Sequence, residues 1–310
     1  MIVVSIDGGE SNEFSAGVRI SDALKELLSG KKRKATLAVQ NESGILDLSE
    51  MLLESTTLIP ITVDSEAGLE ILRHSTAHIM AYAVKEIYGE EVKVAIGPSI
   101  EDGFYYDFDR PSPFTEDDLD KIEKKMEELA TAALPFIRSE LSKSDAIAFF
   151  AERQEKYKVE LIEDLDAEKV SLYTLGSFVD LCRGPHLPDT SWVKAFKLMR
   201  VAGSYWRGDE KRQMLTRIYG TAFATAKEVQ AYLTKLEEAR KRDHRKLGKQ
   251  LGLFTIQDEI GPGLILWQPR GAVLRRIIED YWKDEHYRHG YQLLYTPHIA
   301  RQDLWKTSGH

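Results

Sequence analysis

Two short stretches more than a hundred residues apart constrain this chain most: His74-Ser75-Thr76-Ala77-His78 and Cys182-Arg183-Gly184-Pro185-His186. Each carries two side chains able to bind a metal or move a proton, with three residues between them. In a helix, His-x3-His sets both imidazoles on one face, one turn apart. Gly-Pro cannot continue a helix, so Cys182 and His186 must converge from a loop. Cys182 is also the only cysteine in the chain. The two pairs read as halves of one site, and a fold that joins them must bring a helix face against a strand end.

At 310 residues the chain is long enough for two or three domains. Hydrophobic residues make up 43% and charged residues 30%, the balance of a soluble globular protein. No apolar run reaches membrane-spanning length, and Met1 to Asp7 reads as a strand rather than a signal peptide. A lone cysteine rules out an internal disulfide framework and suits a reducing compartment, so a cytoplasmic protein without a membrane partner is expected. The net charge of −8 means that any nucleic acid must be met by a local basic surface.

The fold class expected is α+β, in several domains. Residues 1–64 read as strand Ile2 to Ile6, helix Ile20 to Leu28, and strands Ala35 to Val39 and Leu58 to Val63, the order of a β-grasp module. Lys31-Lys32-Arg33-Lys34 reads as a solvated loop, with nucleic-acid contact as the alternative. A helix follows, capped by Asp64 or Ser65. Its apolar stripe is Leu69, Leu72, Ile79, Met80, Ala83 and Ile87. At about 100° per residue, His74 and His78 fall opposite that stripe, in line with Lys85, and are expected to face solvent or a cleft.

A hairpin of Val92 to Ile96 with Phe104 to Phe108 puts Phe104, Tyr106 and Phe108 on one face. Asp107-x-Asp109 is a weak cation-binding pattern. Helices are expected over 115–133 and from Lys143 to Lys156, the second capped by Ser142 or Ser144. Lys158 to Ile162 reads as a strand with Lys158 at its solvated start. In the strand Ser177 to Cys182, the period of two places Phe178, Asp180 and Cys182 on one face. A carboxylate beside a thiol, ahead of a Gly-Pro loop bearing His186, has the pattern of an active-site rim. For Cys182 alone the plainer reading is a small buried hydrophobe. Strand pieces over 192–225 precede a long helix from Ala226 to Lys249 with a basic end, Arg240 to Lys246. A helix from Gly271 to His289 and a strand from Gly290 to Thr296 close the pattern. Gly261-Pro262-Gly263 lacks the further Gly and Lys or Ser of a phosphate-binding loop.

Several motifs occur in a familiar order. They are the two stretches above, Ala95-Ile96-Gly97-Pro98 with Gly103-Phe104-Tyr105-Tyr106-Asp107, Asp180-Leu181 ahead of Cys182, Ala202-Gly203-Ser204-Tyr205-Trp206-Arg207-Gly208, and Thr307-Ser308-Gly309-His310. With them the chain resembles, over its whole length, the N-terminal portion of a bacterial-type threonyl-tRNA synthetase. The resemblance implies a TGS domain of β-grasp fold over 1–64 and an editing domain of the threonyl/alanyl type over 65–225. It implies a linker helix over 226–249 and the incomplete start of a class II antiparallel-sheet domain over 250–310. The last helix and strand would be motif 1, which builds the dimer interface in that family. Motifs 2 and 3, the anticodon-binding domain and the catalytic zinc ligands are expected beyond His310, so ATP, Mg and catalytic zinc belong to that remainder. This chain alone is not expected to ligate threonine to tRNA.

The function implied for the part in hand is hydrolysis of mischarged Ser-tRNA(Thr) at its aminoacylated 3′ end. His74, His78 and His186 are the candidates for holding or deprotonating water, and Lys158 for stabilising negative charge. Cys182 would serve recognition rather than attack, while Tyr106 and Asp180 would hold the seryl amine and hydroxyl. No metal is expected. The rival reading makes His74, His78, Cys182 and His186 a zinc site of the alanyl-editing type, and a third makes the chain a non-catalytic tRNA-binding module.

Overall fold

The computed structural model describes residues 1–309. It is α+β in class, and the chain divides into two compact units, Met1–Leu233 and the residues from Thr234 onward. Among the described residues no helix is long and apolar enough to cross a membrane.

The first sheet of the larger unit has the strand order Ser11–Phe14, Ile2–Ile6, Thr56–Thr62, Thr36–Asn41, Gly44–Asp47. Ile2–Ile6 and Thr56–Thr62 run parallel at its centre, and the other pairs are antiparallel. The Ile20–Leu27 helix lies in the connection between that parallel pair. Its buried residues are Ile20, Ala23, Leu24 and Leu27, the spacing of one helical face, and they share a core with Val4, Val39 and Leu58. The basic cluster is not a loop. Gly30–Ala35 is a short helix with no buried residue, because Lys and Arg are good helix formers and nothing in the run breaks it.

The Glu66–Tyr88 helix is the spine of this unit. Ser65 caps it, its Oγ accepting the Gly68 N–H at 3.0 Å. Every residue from Ser75 through Val84 is buried, so the helix is enclosed on all sides rather than along one stripe. His78 is therefore interior and His74 only partly exposed, while Ile87, expected in the apolar stripe, is exposed. A helical wheel separates faces but does not say how many will be covered. Here small residues at Ser75, Ala77, Ala81 and Ala83 let neighbours approach from every direction.

An antiparallel sheet packs against this helix in the order Ala195–Tyr205, Met214–Phe223, Gly103–Asp109, Lys93–Val94, with Ser99–Ile100 also paired to Gly103–Asp109. Phe104, Tyr106 and Phe108 are fully buried on one face, matching the alternation. On the other face the Arg217 guanidinium donates to both Asp107 oxygens at 2.7 and 2.8 Å. Asp109 accepts the Tyr157 hydroxyl at 2.7 Å and pairs with Lys156 at 2.8 Å. The Asp107-x-Asp109 carboxylates thus have protein cations as partners.

A capping box at Thr115 opens the Glu116–Thr131 helix, and Ser142 caps the Lys143–Glu152 helix. The chain reverses at Gln154, whose φ is +57°, and forms a further helix, Lys156–Glu163. This corrects the strand expected over Lys158 to Ile162. Five residues of mixed polarity cannot distinguish the two periods, and the buried set Tyr157, Lys158 and Ile162 is helical in spacing. A three-stranded sheet, Ile137–Ser142, Lys169–Leu175 and Phe178–Leu181, completes the unit, and its first two strands escaped the sequence reading.

The long helix expected over 226–249 is broken. Ala226–Lys241 stops, and Asp243 caps a second helix, His244–Gln250, by accepting the Arg245 N–H at 2.8 Å. Asp disfavours a helix interior because its short carboxylate competes for backbone N–H groups. In the second unit, the strands Phe254–Thr255 and Leu266–Trp267 pair with each other ahead of the Pro269–Arg288 helix. Gly290 to Thr296, expected as a strand, has no regular structure, and among the described residues it is paired with no other strand. A strand needs such a neighbour to satisfy its backbone groups.

Candidate active site

The two motif pairs meet. His74 and His78 project from the spine helix with ring centroids 4.9 Å apart. The His186 ring lies 4.5 Å from that of His74 and 4.3 Å from that of His78. The Cys182 Sγ is 3.0 Å from His74 Nε2. One ligand atom from each of the four residues lies within 4.8 Å of the other three.

The loop between Cys182 and His186 is held by local chemistry. Gly184 has φ +72°, and a Cβ there would lie 2.0 Å from the Tyr173 Oη, so only glycine fits. The Gly184 N–H donates to Cys182 Sγ at 3.3 Å, and the Gly184–Pro185 peptide is cis. The Leu187 N–H donates to Ser75 Oγ at 3.0 Å, docking the loop on the spine helix.

Beside this cluster lies a second one. Lys158 Nζ is 2.5 Å from Asp180 Oδ1 and donates to the Tyr106 hydroxyl at 3.0 Å. That hydroxyl donates to Asp180 Oδ2 at 2.5 Å. His78 Nδ1 is 3.6 Å from the same Oδ2 and joins the two clusters. Lys158, at 2% exposure, is not at a solvated strand end but on a buried helix face. Gly97 makes room for Tyr106, since a Cβ at that position would lie 2.0 Å from the ring. The seven residues singled out in the sequence (His74, His78, Tyr106, Lys158, Asp180, Cys182 and His186) therefore lie together.

Burial sets the charges. It pulls His74 down to about 4 and His78 to about 3, and holds His186 well below the ordinary imidazole value. All three imidazoles are neutral at pH 7, each keeping one lone-pair nitrogen, the form that binds a metal. Burial pushes the Cys182 thiol up to about 12, so it is protonated and a poor nucleophile. For Asp180 burial acts upward, but the Lys158 charge, with His78 and the hydrogen bonds, outweighs it and keeps the carboxylate below its ordinary value. The region thus holds one ion pair among neutral groups.

The far nitrogen of each imidazole is also engaged. The Gly97 backbone acts on His74 to favour its charged form, His78 faces Asp180, and His186 Nδ1 lies 3.1 Å from Ser75 Oγ. The His186 Nε2 is buried without a hydrogen-bond partner among the described residues. One thiol, three neutral imidazoles with outer partners and an orphaned nitrogen fit a zinc ion.

A cleft of about 270 Å³ reaches the cluster, lined by Ile45, His74, Pro98, Ser99, Gly184 and Pro185 among others. His74 is the member of the cluster that meets it. Two wider clefts, of about 710 and 810 Å³, contain none of the seven residues. The sequence reading missed Ser75, Tyr173 and Phe136. Ser75 sat inside a motif already singled out. Tyr173, on an unrecognised strand, meets the His186 ring at 4.4 Å, and Phe136, just ahead of another, stacks on that ring at 4.8 Å.

Residues 170–219, which include Cys182 and His186, match the family described as the threonyl and alanyl tRNA synthetase second additional domain. The chain is 53% identical over 309 residues to the threonine–tRNA ligase of Citrifermentans bemidjiense, covering 100% of this chain and 48% of that protein. It is 53% identical over 311 residues to that of Syntrophotalea carbinolica, covering 100% and 49%. With that of Nitratidesulfovibrio vulgaris the identity is 51% over 308 residues, covering 99% and 48%. The chain spans about half the length of these curated relatives. Over its whole length the chain is thus similar to about half of these threonine–tRNA ligases, and residues 170–219 match the second additional domain of threonyl and alanyl tRNA synthetases.

Proposed function

We propose that residues 65–225 form an editing domain that hydrolyses the ester of serine mischarged onto threonine tRNA. The carrying observation is the convergence itself: four proton- or metal-binding groups within 4.8 Å of one another, beside a buried Lys158–Asp180–Tyr106 cluster, at the end of a cleft. In the same reading 1–64 is a TGS domain, which its mixed sheet and the Ile20–Leu27 helix packed on it support. Residues 226–249 are the linker and 250–310 the start of a class II domain. The full-length protein would ligate threonine to tRNA(Thr) with ATP, in the cytoplasm, as a homodimer. The exposed apolar residues Ile277, Ile278, Tyr281 and Trp282 on the Pro269–Arg288 helix support a protein partner there.

The need for hydrolysis follows from size. Serine is threonine without a methyl, and a lost methyl contact discriminates by only about 1–3 kcal/mol. A second pocket that admits serine and excludes the methyl supplies the rest. In this site the Asp180 carboxylate, kept ionised by Lys158, binds the seryl ammonium, and the Tyr106 hydroxyl binds the seryl hydroxyl. Lys158 offers positive charge to the oxyanion that forms when water adds to the ester carbonyl. His74, neutral and open to the cleft, exchanges its Cys182 contact for that water and takes the water's proton as it adds. The oxyanion then collapses, the ester bond breaks, and the ribose oxygen leaves with that proton as a hydroxyl, while His78 and His186 hold the imidazole cluster in place. Cys182, as a protonated thiol, recognises rather than attacks.

A second reading is favoured by the partnerless His186 Nε2: His74, His78, Cys182 and His186 would hold zinc, which supplies an activated water when bound. The test measures serine release from Ser-tRNA(Thr) by the wild-type chain and by His74→Ala and Cys182→Ala, with zinc content determined on the same samples. Loss of roughly 100-fold or more in His74→Ala is expected for a group that handles the water. Unchanged hydrolysis in both variants would overturn the site assignment. Stoichiometric zinc whose removal abolishes release would decide for the second reading.

A further inference from the structure

The strand Gly44–Asp47, at the edge of the N-terminal sheet, carries two residues into the neighbourhood of the site. Ile45 lines the cleft that His74 meets. Asp47, two residues on and hence on the same face of the strand, is buried at 4% exposure. Its carboxylate accepts the Tyr173 hydroxyl. Among the described residues no lysine or arginine forms an ion pair with it. Arg138 acts on it only from beyond ion-pair distance, and a buried carboxylate without a countercharge in contact is costly.

What Asp47 holds is the Cys182–His186 loop. Tyr173 is 1% exposed, its ring meets the His186 imidazole at 4.4 Å and 62°, and its Oη occupies the space that a side chain at Gly184 would need. Asp47 fixes the Tyr173 hydroxyl, and the Tyr173 ring in turn meets the His186 imidazole. On the far side of the ring, Ser75 fixes His186 Nδ1. The imidazole is thus clamped between a residue of the spine helix and a residue of the N-terminal sheet.

We infer that Asp47 is a positioning residue of the hydrolytic site, acting through Tyr173 on the His186 ring and the Gly184 turn, so that the N-terminal sheet is a working part of that site. Its catalytic consequence rests on the editing function proposed above. Removal of such an outer partner costs roughly 10- to 100-fold in activity.

The experiment compares Asp47→Ala, Asp47→Asn and Tyr173→Phe with the wild-type chain. It reads kcat and KM for serine release from Ser-tRNA(Thr), together with the His186 backbone-amide and imidazole NMR signals. The expected result is a kcat lowered about 10-fold or more in Asp47→Ala and Tyr173→Phe with KM within twofold. Asp47→Asn, which keeps an acceptor, recovers most of the rate, and the His186 signals move in Asp47→Ala and Tyr173→Phe but little in Asp47→Asn. A kcat within twofold of wild type in both Asp47→Ala and Tyr173→Phe would overturn the inference, as would unmoved His186 signals. If the wild-type chain releases no serine, the editing function fails, and the signals decide the positioning role separately: displaced supports it, unmoved rejects it.

Discussion

Lys158 and Asp180 face each other at 2.5 Å with almost no access to water. Each makes the other's burial tolerable, so Lys158→Met should leave Asp180 as an unpaired buried charge and destabilise the fold by about 3–5 kcal/mol. Adding Asp180→Leu to that variant should restore much of the loss. Urea denaturation of the single and double variants checks both points, and a single-variant loss below about 1 kcal/mol would show that the pair is not enclosed. The pairing could not be read in advance. Strand alternation sets Asp180 on one face with Phe178, and both are buried, whereas burial of Lys158 depends on its partner and not on its neighbours in sequence.

The imidazoles make a further residue-scale prediction, for protein freed of metal by chelation. His74, His78 and His186 titrate in the fold well below the value of about 6.5 expected when unfolded. Below pH 6.5 the unfolded chain therefore binds protons that the native state refuses, and stability falls as the pH drops toward 4. Asp47 opposes this, because burial raises it to about 6 and the native state takes up a proton there before the unfolded chain does. Of the other groups facing the cluster, Cys182 remains protonated throughout this range, and Asp180, held down by Lys158, acts only below it. Three groups against one leave a net loss. Denaturation midpoints at pH 7.5, 6 and 5 should decline in that order, and a flat or rising series would contradict the burial of the imidazoles.

At the scale of elements, the spine helix shows what a pattern can and cannot convey. Its start was legible, because Ser65 is followed by a helical run and a side-chain acceptor there satisfies a free N–H. Ser65→Ala should lower stability by about 1 kcal/mol in thermal unfolding. Its surroundings were not legible, since each covering layer comes from a segment far away in sequence. The Lys156–Glu163 helix differs from the expected strand for a related reason: its short run is set by the packing of Tyr157 and Ile162, not by its own periodicity. Gly97 joins element to site. Gly97→Ala would push a methyl to within 2.0 Å of the Tyr106 ring. It should cost about 1–3 kcal/mol and also weaken serine release, because Tyr106 would move from Asp180 and Lys158. A folded, fully active Gly97→Ala protein would show that Tyr106 has no such role.

For the whole molecule, the motif pairs conveyed more than the composition. Charge and hydropathy bound only a broad class and a number of domains, whereas two pairs of ligating residues with incompatible local geometries imply that a helix and a loop must meet. The division between the two units falls inside the Ala226–Lys241 helix, a place that no sequence feature marks. The second unit leaves its longest helix with a broad exposed apolar face, and Gly290 to Thr296 lacks a strand partner among the described residues. A strand's conformation is supplied by its neighbours, so its own sequence could not reveal that.

The central claim is that these converging groups form a pocket that removes serine and spares threonine. The most direct test is the rate at which the wild-type chain deacylates Ser-tRNA(Thr) relative to Thr-tRNA(Thr). The account predicts rapid release of serine, with threonine released at least about 10-fold more slowly because the added methyl meets the pocket wall. Equal rates for the two esters, or no release of either, would contradict it.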